Sequence, residues 1–467
     1  MINVVIIGSG PSALFAAKTI LESNELISII MLERGKSVHD RICPAEKGIC
    51  QHCEVCSVLQ GGGGAGLFSD GKLIVDLTSG GIAKGVDMLS QSERLAMERL
   101  ILETLMSFDG ISKYKEMPSS DVMRKSREQF ASEGLSIKFY NVLHMGSNNL
   151  PNITQRFIEY LCLEFPKRFC ICYNTRVTDI GRSDSGYTVS TTGHEYHADC
   201  VIAAVGKSGA AWLKSVMTKL NVKHSAHPFY FGLRMETSYL SVKQLNQLSF
   251  DPKISRTVDK RKIKIHCMCR KGRIRYYRYK GSMNVGGHSP YNENDPNMFA
   301  SIPNANFNIL LSYDKKIISP EELLFLFGDK CPNTIAAQRL GDFMLSKATT
   351  AWGKYVPDNT KIISKVNIRE IIDSFDADFF RHFSDFLLLL SKICPEILDD
   401  DNILYAPAIE WDMDSINVNS NMETDSHNLF AVGDGAGLSQ GIVFSAATGI
   451  LAAKEISKRF AQRGYND

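Results

Sequence analysis

The first fourteen residues constrain the fold of this chain more than any other stretch. Val4–Ile7 is a short apolar, β-branched run, and the small residues Gly8–Ala13 follow it directly. Apolar residues then recur at helical spacing, which predicts a strand, a tight turn and a helix. This is the opening of a dinucleotide-binding βαβ unit. In such a unit the bare glycine backbone approaches a pyrophosphate, and the helix N-terminus offers unpaired N–H groups.

An acidic residue supports this interpretation. A second apolar run, Leu26–Leu32, ends at Glu33, which lies twenty residues after Ala13. At that distance a carboxylate accepts hydrogen bonds from a ribose. A glycine motif of this kind also occurs by chance in ordinary turns, but the second strand and the acid supply the context that the motif requires. We therefore predict that this unit binds a dinucleotide.

Length and composition are those of an ordinary globular protein. The 467 residues predict two or three domains, and the net charge of +2 gives no reason to expect nucleic acid. No apolar run reaches the length of a membrane span, and the first strand begins too early for a signal peptide. We expect a cytoplasmic protein whose twelve cysteines are thiols or metal ligands rather than disulfides.

A cysteine-rich loop (41–60) follows the second strand. It holds Cys43, Cys50, Cys53 and Cys56, a C-x6-C-x2-C-x2-C pattern. This spacing lets a short loop turn several thiolates toward one centre, as in iron–sulfur or zinc sites. A reduced cysteine-rich loop or a redox dithiol pair is also compatible with it. The four residues are therefore candidate metal ligands, with an iron–sulfur cluster favoured over zinc.

A glycine-rich segment comes next. Five of the six residues Gly61–Gly66 are glycine, and they lead straight into Leu67 and Phe68. Bare backbone of this kind can run close to a ligand, whereas a flexible linker seldom continues into apolar residues. We predict ligand contact here, with Asp70 and Lys72 as the nearest polar groups and the candidate catalytic residues.

The middle of the chain contains a basic segment. Residues 256–280 hold eleven lysines and arginines against one acid, and two alternating runs, Lys262–Cys269 and Ile274–Lys280, predict a hairpin. Such a hairpin can bind nucleic acid or an anionic substrate or carrier, although the balanced charge elsewhere favours a solvated strand face. Cys267 and Cys269 would share one face and are not expected to chelate a metal without help.

Nucleotide chemistry returns near the end of the chain. Ala198–Gly206 predicts a buried strand that rejoins the first sheet, and Asn428–Val432 predicts another, followed by Gly433-Asp434. A helix is predicted from there to about Arg463. Its N-terminus would face the ligand, and Asp434 would meet a ligand hydroxyl.

Together these segments resemble the flavoprotein superfamily that includes glutathione reductase and p-hydroxybenzoate hydroxylase. The resemblance implies FAD, with Glu33 at the adenosine ribose, the backbone of Val177 at the adenine and Asp434 near the ribityl or pyrophosphate. The cofactor contacts that follow are Gly8, Gly10, Pro11, Ser12, Ala13, Glu33, Arg34, Gly63, Gly64, Ala65, Gly66, Val177, Ala204, Gly206, Gly433, Asp434, Gly441, Ile442 and Val443.

The whole chain looks more closely like a group of largely uncharacterised bacterial FAD-dependent dehydrogenases. The matching segments are the four loop cysteines, Gly63–Leu73, Cys267–Cys269, Gln338–Leu340 and Gly433–Gly437. The chain departs from that group at the basic residues 270–280, where the group usually carries a Pro-Gly-Gly turn.

We therefore expect an α/β protein. A discontinuous, doubly wound FAD-binding domain (1–210 and 401–467) would carry an inserted mixed α+β substrate domain (211–400). The expected activity is that of an FAD-dependent dehydrogenase that transfers hydride between flavin N5 and a small organic substrate. The alternatives are a flavin monooxygenase and a non-catalytic electron-transfer or redox-sensing flavoprotein that uses the cysteine loop.

Overall fold

The first sheet carries the predicted dinucleotide unit. The computed structural model describes residues 1–46, 48–77, 84–109, 114–115, 117–289 and 303–461. Five parallel strands form this sheet, in the order Leu429–Ala431, Cys200–Ala203, Ile2–Ile7, Ile27–Leu32 and Phe169–Cys172. The predicted return of the chain to the first strand is confirmed, because Val4 pairs with Cys200 in parallel register. The mixed α/β class with a parallel sheet is confirmed as well.

Two helices, Pro11–Ser23 and Ile442–Ala461, pack side by side on this sheet. A Cβ on Gly449 of the second helix would stand 2.0 Å from the carbonyl oxygen of Ser12, so only glycine permits this approach. A third helix, Leu150–Glu164, packs its Phe157 ring edge-on against Phe15, with 5.2 Å between the centroids. The predicted extension of the last helix to Arg463 lies outside the described residues.

A second, large sheet has eight strands. In spatial order they are Ile363–Lys365, Ile335–Arg339, Ile403–Glu410, Phe229–Ser238, Asn304–Tyr313, Arg261–Cys269, Lys253–Val258 and Ser136–Lys138. A phenylalanine-rich core fills the space between this sheet and the helix Phe379–Ser391. The predicted domain bounds stay a prediction. The large sheet also takes strands 136–138 and 403–410, which lie on either side of 211–400.

Smaller elements complete the chain. The predicted meander is confirmed as Val177–Ser183, Gly186–Thr191 and Glu195–Ala198. The other strands are Lys72–Val75, Tyr114–Lys115, Asn141–His144, His224–Ser225, Arg273–Tyr279, Ser282–His288 and Ser415–Ile416. The remaining α-helices are Lys84–Asp87, Gln91–Asp109, Ser120–Ser132, Gly206–Lys219, Lys243–Leu248, Pro320–Lys330, Leu340–Met344 and Ile368–Asp373. In the described ranges, no helix combines the length and apolar character needed to span a bilayer.

The predicted basic hairpin is wrong. Arg261–Cys269 pairs with the strand before it, and Arg273–Tyr279 pairs with the strand after it. The physical reason lies in the turns. Asp259 and Lys260 have φ of 52° and 64°, and Lys280 and Gly281 have φ of 47° and 87°. Two successive residues with positive φ form the type I′ turn that closes a tight hairpin, so residues 270–272 become a link between two hairpins.

Candidate active site

A cleft opens at the carboxyl ends of the first sheet, beside the central strand Ile2–Ile7. The strand order reverses at this point, and α/β sheets bind ligands where that happens. Gly8 makes the turn after the strand, with φ of 104°. A Cβ there would stand 2.3 Å from the carbonyl oxygen of Ala204, so the turn requires glycine.

Nine of the predicted cofactor contacts line this cleft. They are Gly8, Gly10, Glu33, Arg34, Gly64, Ala65, Val177, Ala204 and Gly206. Gly206 has φ of 63°, and no heavy atom lies within 4 Å of its ideal Cβ position, so the backbone there faces open space. The tertiary structure thus brings together residues that lie up to about two hundred positions apart in the sequence.

The Glu33 carboxylate accepts hydrogen bonds from three loops at the bottom of this cleft. Oε2 accepts hydrogen bonds from the Ser9 backbone N (3.0 Å) and Oγ (2.6 Å). Oε1 accepts from the backbone N atoms of Gly35 (2.8 Å) and Gly61 (3.0 Å). Each oxygen therefore already holds two donors, and the side chain is buried. The role of Glu33 at a ribose stays a prediction.

Arg41 is a functional residue that the sequence analysis missed. Its buried guanidinium donates to the carbonyl oxygens of Gly62 (2.6 Å) and Gly64 (2.8 Å), and also to those of Ser57 and Val58. Burial lowers its pKa to about 10. Arg41 thereby holds the glycine run in shape. A single arginine in a loop gives no sequence signal for such a role.

A smaller, largely apolar cavity adjoins the glycine turn. Pro11, Gly63, Gly66 and Ile442 line it, so four more of the predicted contacts meet there. Ser12, Ala13 and Val443 are buried in the helices behind it. Its other walls are core side chains such as Phe15, Met145 and Phe157, and its free volume of about 30 Å³ is too small for a flavin ring system, so the contact of these residues with a cofactor stays a prediction.

The loop after the last strand packs against the first helix. A Cβ on Gly433 would stand 2.7 Å from Ser12 Oγ. Asp434 is buried and accepts hydrogen bonds from Ser439 Oγ and Ser445 Oγ, both at 2.7 Å. Burial raises the pKa of Asp434. Asp434 is not among the residues that line the cleft, so its contact with a ligand stays a prediction. Gly441, with φ of 101°, precedes the last helix.

The two candidate catalytic residues form a buried ion pair. Lys72 Nζ lies 2.7 Å from Asp70 Oδ2 and 3.4 Å from Asp251 Oδ1, and it donates to the carbonyl oxygen of Met268 at 2.5 Å. Burial acts to lower the pKa of Lys72, but the carboxylates of Asp251 and Asp70 outweigh burial and raise the pKa well above its usual range. Lys72 therefore stays an ammonium and can donate hydrogen bonds but cannot act as a base.

Cys267 and Cys269 join this ion pair. Their sulfur atoms lie 3.3 and 3.4 Å from Asp70 Oδ2, across about two hundred residues of sequence. Asp70, Cys267 and Cys269 each offer one potential metal-ligating atom, and these three atoms lie within 4.8 Å of one another. No other such group of three occurs in the part of the chain that the structure describes. Sequence alternation predicted the shared face of the two cysteines but could not identify Asp70 as their partner.

The four loop cysteines line one small cavity under the strand Arg273–Tyr279. All four are free thiols, and Cys53 is exposed. They face the same space, but no three of their sulfur atoms are found within 4.8 Å of one another, although all four lie in described residues. Their role as metal ligands stays a prediction.

A basic cavity lies between the cysteine loop and the strand Arg273–Tyr279. Its lining holds three cations, Arg273, Arg275 and Lys361, against two acids, Glu46 and Asp358. Arg275 is 7% exposed and donates to Glu46 Oε1 through Nη1, at 3.1 Å. Its Nε and Nη2 atoms are buried and have no hydrogen-bond partner. Arg275 therefore departs from the solvated strand face that the charge balance favoured, whereas the other ten lysines and arginines of the segment are exposed or half-buried.

Phe68 connects this basic cavity to the glycine run. The Arg275 guanidinium lies 4.7 Å from the centroid of the Phe68 ring, and the Arg41 guanidinium lies 4.8 Å from the same centroid. Phe68 comes two residues after Gly66, which lines the apolar cavity. Phe68 thus contacts both Arg275 of the basic cavity and Arg41, which holds the glycine run.

No family model matches this chain. A protein of Clostridium beijerinckii, described as uncharacterised, is 23% identical over 492 residues, which cover 98% of this chain and 81% of that protein.

Several solved structures are similar to this one at low identity. Glycine oxidase from Geobacillus kaustophilus is 12% identical, with 98% of this chain and 95% of that chain covered and a TM-score of 0.38. A flavoprotein/dehydrogenase from Cytophaga hutchinsonii is 10% identical, with 99% and 79% covered and a TM-score of 0.42. A salicylate hydroxylase is 10% identical, with 98% and 78% covered and a TM-score of 0.41. These are oxidoreductases, the class that the sequence resemblance predicts. At TM-scores below 0.5 the likenesses carry no argument for this chain's activity.

Proposed function

We propose that this protein is an FAD-dependent oxidoreductase that acts on a small anionic organic substrate. The observation that carries the proposal is the cleft at the reversal point of the first sheet. There the turn Gly8–Gly10, the N-terminus of the helix Pro11–Ser23 and the bare backbone of Gly64 converge on one space. Backbone N–H groups and a helix N-terminus are the usual binding partners of a pyrophosphate.

We propose FAD rather than a nicotinamide dinucleotide because the glycine motif, Glu33 and Gly433-Asp434 together resemble the flavoprotein superfamily. Gly61 and Gly64 of the glycine run border the cleft and present no side chain that would block a flavin ring system there. Bound FAD would supply a two-electron acceptor for hydride at N5.

The chain's own residues would then bind and orient the substrate. A buried guanidinium with two partnerless N–H groups is costly unless a ligand satisfies it. In the basic cavity the Nε and Nη2 atoms of Arg275 are such groups. Arginine pairs with carboxylate or phosphate through two parallel hydrogen bonds. The substrate class is therefore a small carboxylate or phosphate ester.

Cofactor identification tests the proposal directly. The purified chain should carry a yellow chromophore that heat releases and that chromatography identifies as FAD. Gly10→Val should abolish binding, because a side chain at this position would fill the space beside Gly64. Gly193→Val is the matched control, since no heavy atom lies within 4 Å of its ideal Cβ position, in an exposed bend. Isolation of NAD, of FMN or of no nucleotide would overturn the proposal.

Dehydrogenase and monooxygenase activities are separated by their products. We propose the dehydrogenase. Its reducing substrate bleaches the flavin absorbance under anaerobic conditions and is recovered as a product with two hydrogen atoms fewer. A monooxygenase would instead need a separate reductant and would place one oxygen atom from O₂ in the product.

A second proposal concerns the cysteine loop. Cys43, Cys50, Cys53 and Cys56 face one cavity, which favours a common ligand for them. We propose an iron–sulfur cluster or a zinc ion there, and the cluster would give the protein an electron-transfer function. Anaerobic metal analysis with electron paramagnetic resonance tests this. If the anaerobic protein holds neither iron nor zinc, and each Cys→Ser variant keeps full activity, the loop has a structural role.

A further inference from the structure

The cluster around Asp70 contains two thiols in an unusual local geometry. The two sulfur atoms and one Asp70 oxygen lie within 4.8 Å of one another. Cys267 has φ of 54°, a left-handed conformation that is strained for a side chain other than glycine. It sits at a bulge, where the pairing of the strand shifts between His266 and Cys269. Strain and bulges of this kind cluster at functional sites.

Two cations lie next to the thiols. Lys72 Nζ stands 2.7 Å from the oxygen that both sulfurs contact, and Arg234 Nη2 donates to Cys269 Sγ at 3.4 Å. The hydrogen bond from the Cys269 thiol lowers the pKa of Cys267 and raises that of Cys269. Cys267 is also the less buried of the two. The pair thus consists of an acidic, more accessible thiol and a protonated, buried one.

A metal ion would not suit this arrangement. The Lys72 ammonium already stands beside the shared Asp70 oxygen, where a cation would have to bind. Arg234 is buried and adds a second positive charge at Cys269. Both charges repel a metal ion, and both stabilise a thiolate against the opposing charge of the Asp70 carboxylate.

We propose that Cys267 and Cys269 form a thiol–disulfide exchange site that reacts with small-molecule disulfides. Cys267 is the attacking sulfur and Cys269 the resolving sulfur. No step requires the flavin, so this proposal can be tested independently of the proposed function.

The exchange balances in two steps. The Cys267 thiolate attacks a disulfide RSSR, forms a mixed disulfide and releases one RS⁻. Cys269 then loses its proton to solvent and attacks the Cys267 sulfur, which closes the Cys267–Cys269 bond and releases the second RS⁻. The two released thiolates take up two protons from solvent. These replace the two protons that Cys267 and Cys269 gave up to solvent. Two electrons pass from the cysteine pair to RSSR, which becomes two RSH.

The chain offers a matched internal control. Cys170 and Cys172 have the same spacing on the strand Phe169–Cys172, and their sulfur atoms lie 3.9 Å apart. Burial raises the pKa of Cys172, and the neighbouring side chains that act on it are Cys170 and Tyr196. This pair shares the spacing but lacks the ion pair and the arginine.

Trapping experiments on the full-length chain test the proposal. Reduced protein is treated anaerobically with glutathione disulfide, acid-quenched, alkylated and mapped by peptide mass spectrometry. The native protein should yield a Cys267–Cys269 disulfide. Cys269→Ser should instead accumulate a glutathione adduct on Cys267, and Cys267→Ser should leave Cys269 unmodified. Cys170→Ser should behave as the native protein does. A structural role for the pair would not produce this asymmetry.

A second measurement keeps the test valid if either variant misfolds. The alkylation rate of Cys267 in the native protein, followed against pH, should reach its midpoint at lower pH than that of Cys172. The proposal is overturned if Cys269 carries the adduct, if neither sulfur reacts, or if the alkylation midpoint of Cys267 is the higher one. It is also overturned if the isolated protein holds a metal ion that is lost in Cys267→Ser.

Discussion

Lys72 Nζ and Asp70 Oδ2 lie 2.7 Å apart with both side chains almost completely buried, at 4% and 6% exposure. A second carboxylate, Asp251, stands 3.4 Å from the same ammonium. Asp251 also pairs with Lys253 Nζ at 2.8 Å, so two lysines compensate the two buried acids, and Lys72 is the one that contacts both. Removing one partner of a buried ion pair destabilises the folded protein, because the other partner is left as an uncompensated buried charge.

The first prediction follows from that ion pair. Lys72→Met should lower the free energy of unfolding by about 3–5 kcal/mol, since buried Asp70 would lose its paired cation, whereas Asp251 would keep Lys253. Lys18→Met is the control, because Lys18 pairs with Glu22 on the surface of the first helix. Exposed pairs contribute about 0–1 kcal/mol. Urea unfolding measures the free energy of unfolding of both variants. An equal loss of stability in the two would show that the buried pair contributes no more than the exposed pair.

The second prediction concerns the substrate. Arg275→Met should raise the KM for an anionic substrate about ten- to a hundredfold, because a hydrogen bond to a charged group contributes about 1.5–3 kcal/mol. The kcat should change less. Arg278→Met in the same strand is the control, since its Nε donates to the carbonyl oxygen of Gly281 in the turn. Steady-state kinetics measure KM and kcat in both variants. An unchanged KM in Arg275→Met would show that Arg275 does not bind the substrate.

A third prediction tests the role of Arg41 in shaping the glycine run. Arg41→Lys keeps the charge but cannot reach the several carbonyl oxygens that the guanidinium joins. We expect weaker FAD binding and faster amide exchange over Gly61–Gly66. Arg156→Lys serves as the comparison, because Arg156 donates to one carbonyl oxygen on an exposed helix. Fluorescence titration with FAD and hydrogen exchange measure the two effects. Equal affinities in the two variants would contradict the prediction.

The fourth prediction is a pH dependence of stability. Burial raises the pKa of Glu236 from 4.5 to about 7. Between these two values the folded protein binds more protons than the unfolded chain, so stability from this group falls as the pH rises from about 4.5 to about 7. The decline should reach at most about 3 kcal/mol. Glu236→Gln should flatten this part of the profile in urea unfolding at pH 5 and pH 8. A profile that keeps its slope in the variant would assign the dependence to other groups.

Local patterns predicted the elements that depend on neighbouring residues. The apolar run Val4–Ile7 and the small residues after it predicted the strand and turn, since each residue's conformation there follows from its own chemistry. The same reasoning failed for the basic hairpin. Residues 270–272 have turn-like composition, yet the positive φ at Asp259-Lys260 and Lys280-Gly281 decided which strands pair.

The amino-acid sequence by itself determined the glycine turn and the strands of the first sheet, because spacing and side-chain size act over a few residues, whereas most of the candidate cofactor residues came from the flavoprotein resemblance. Only the tertiary structure decided which distant groups meet. Asp70 contacts Cys269 across 199 positions, and Arg275 meets Glu46 across 229. Such contacts depend on how two sheets pack and on which buried charges must find partners, and no local pattern records that.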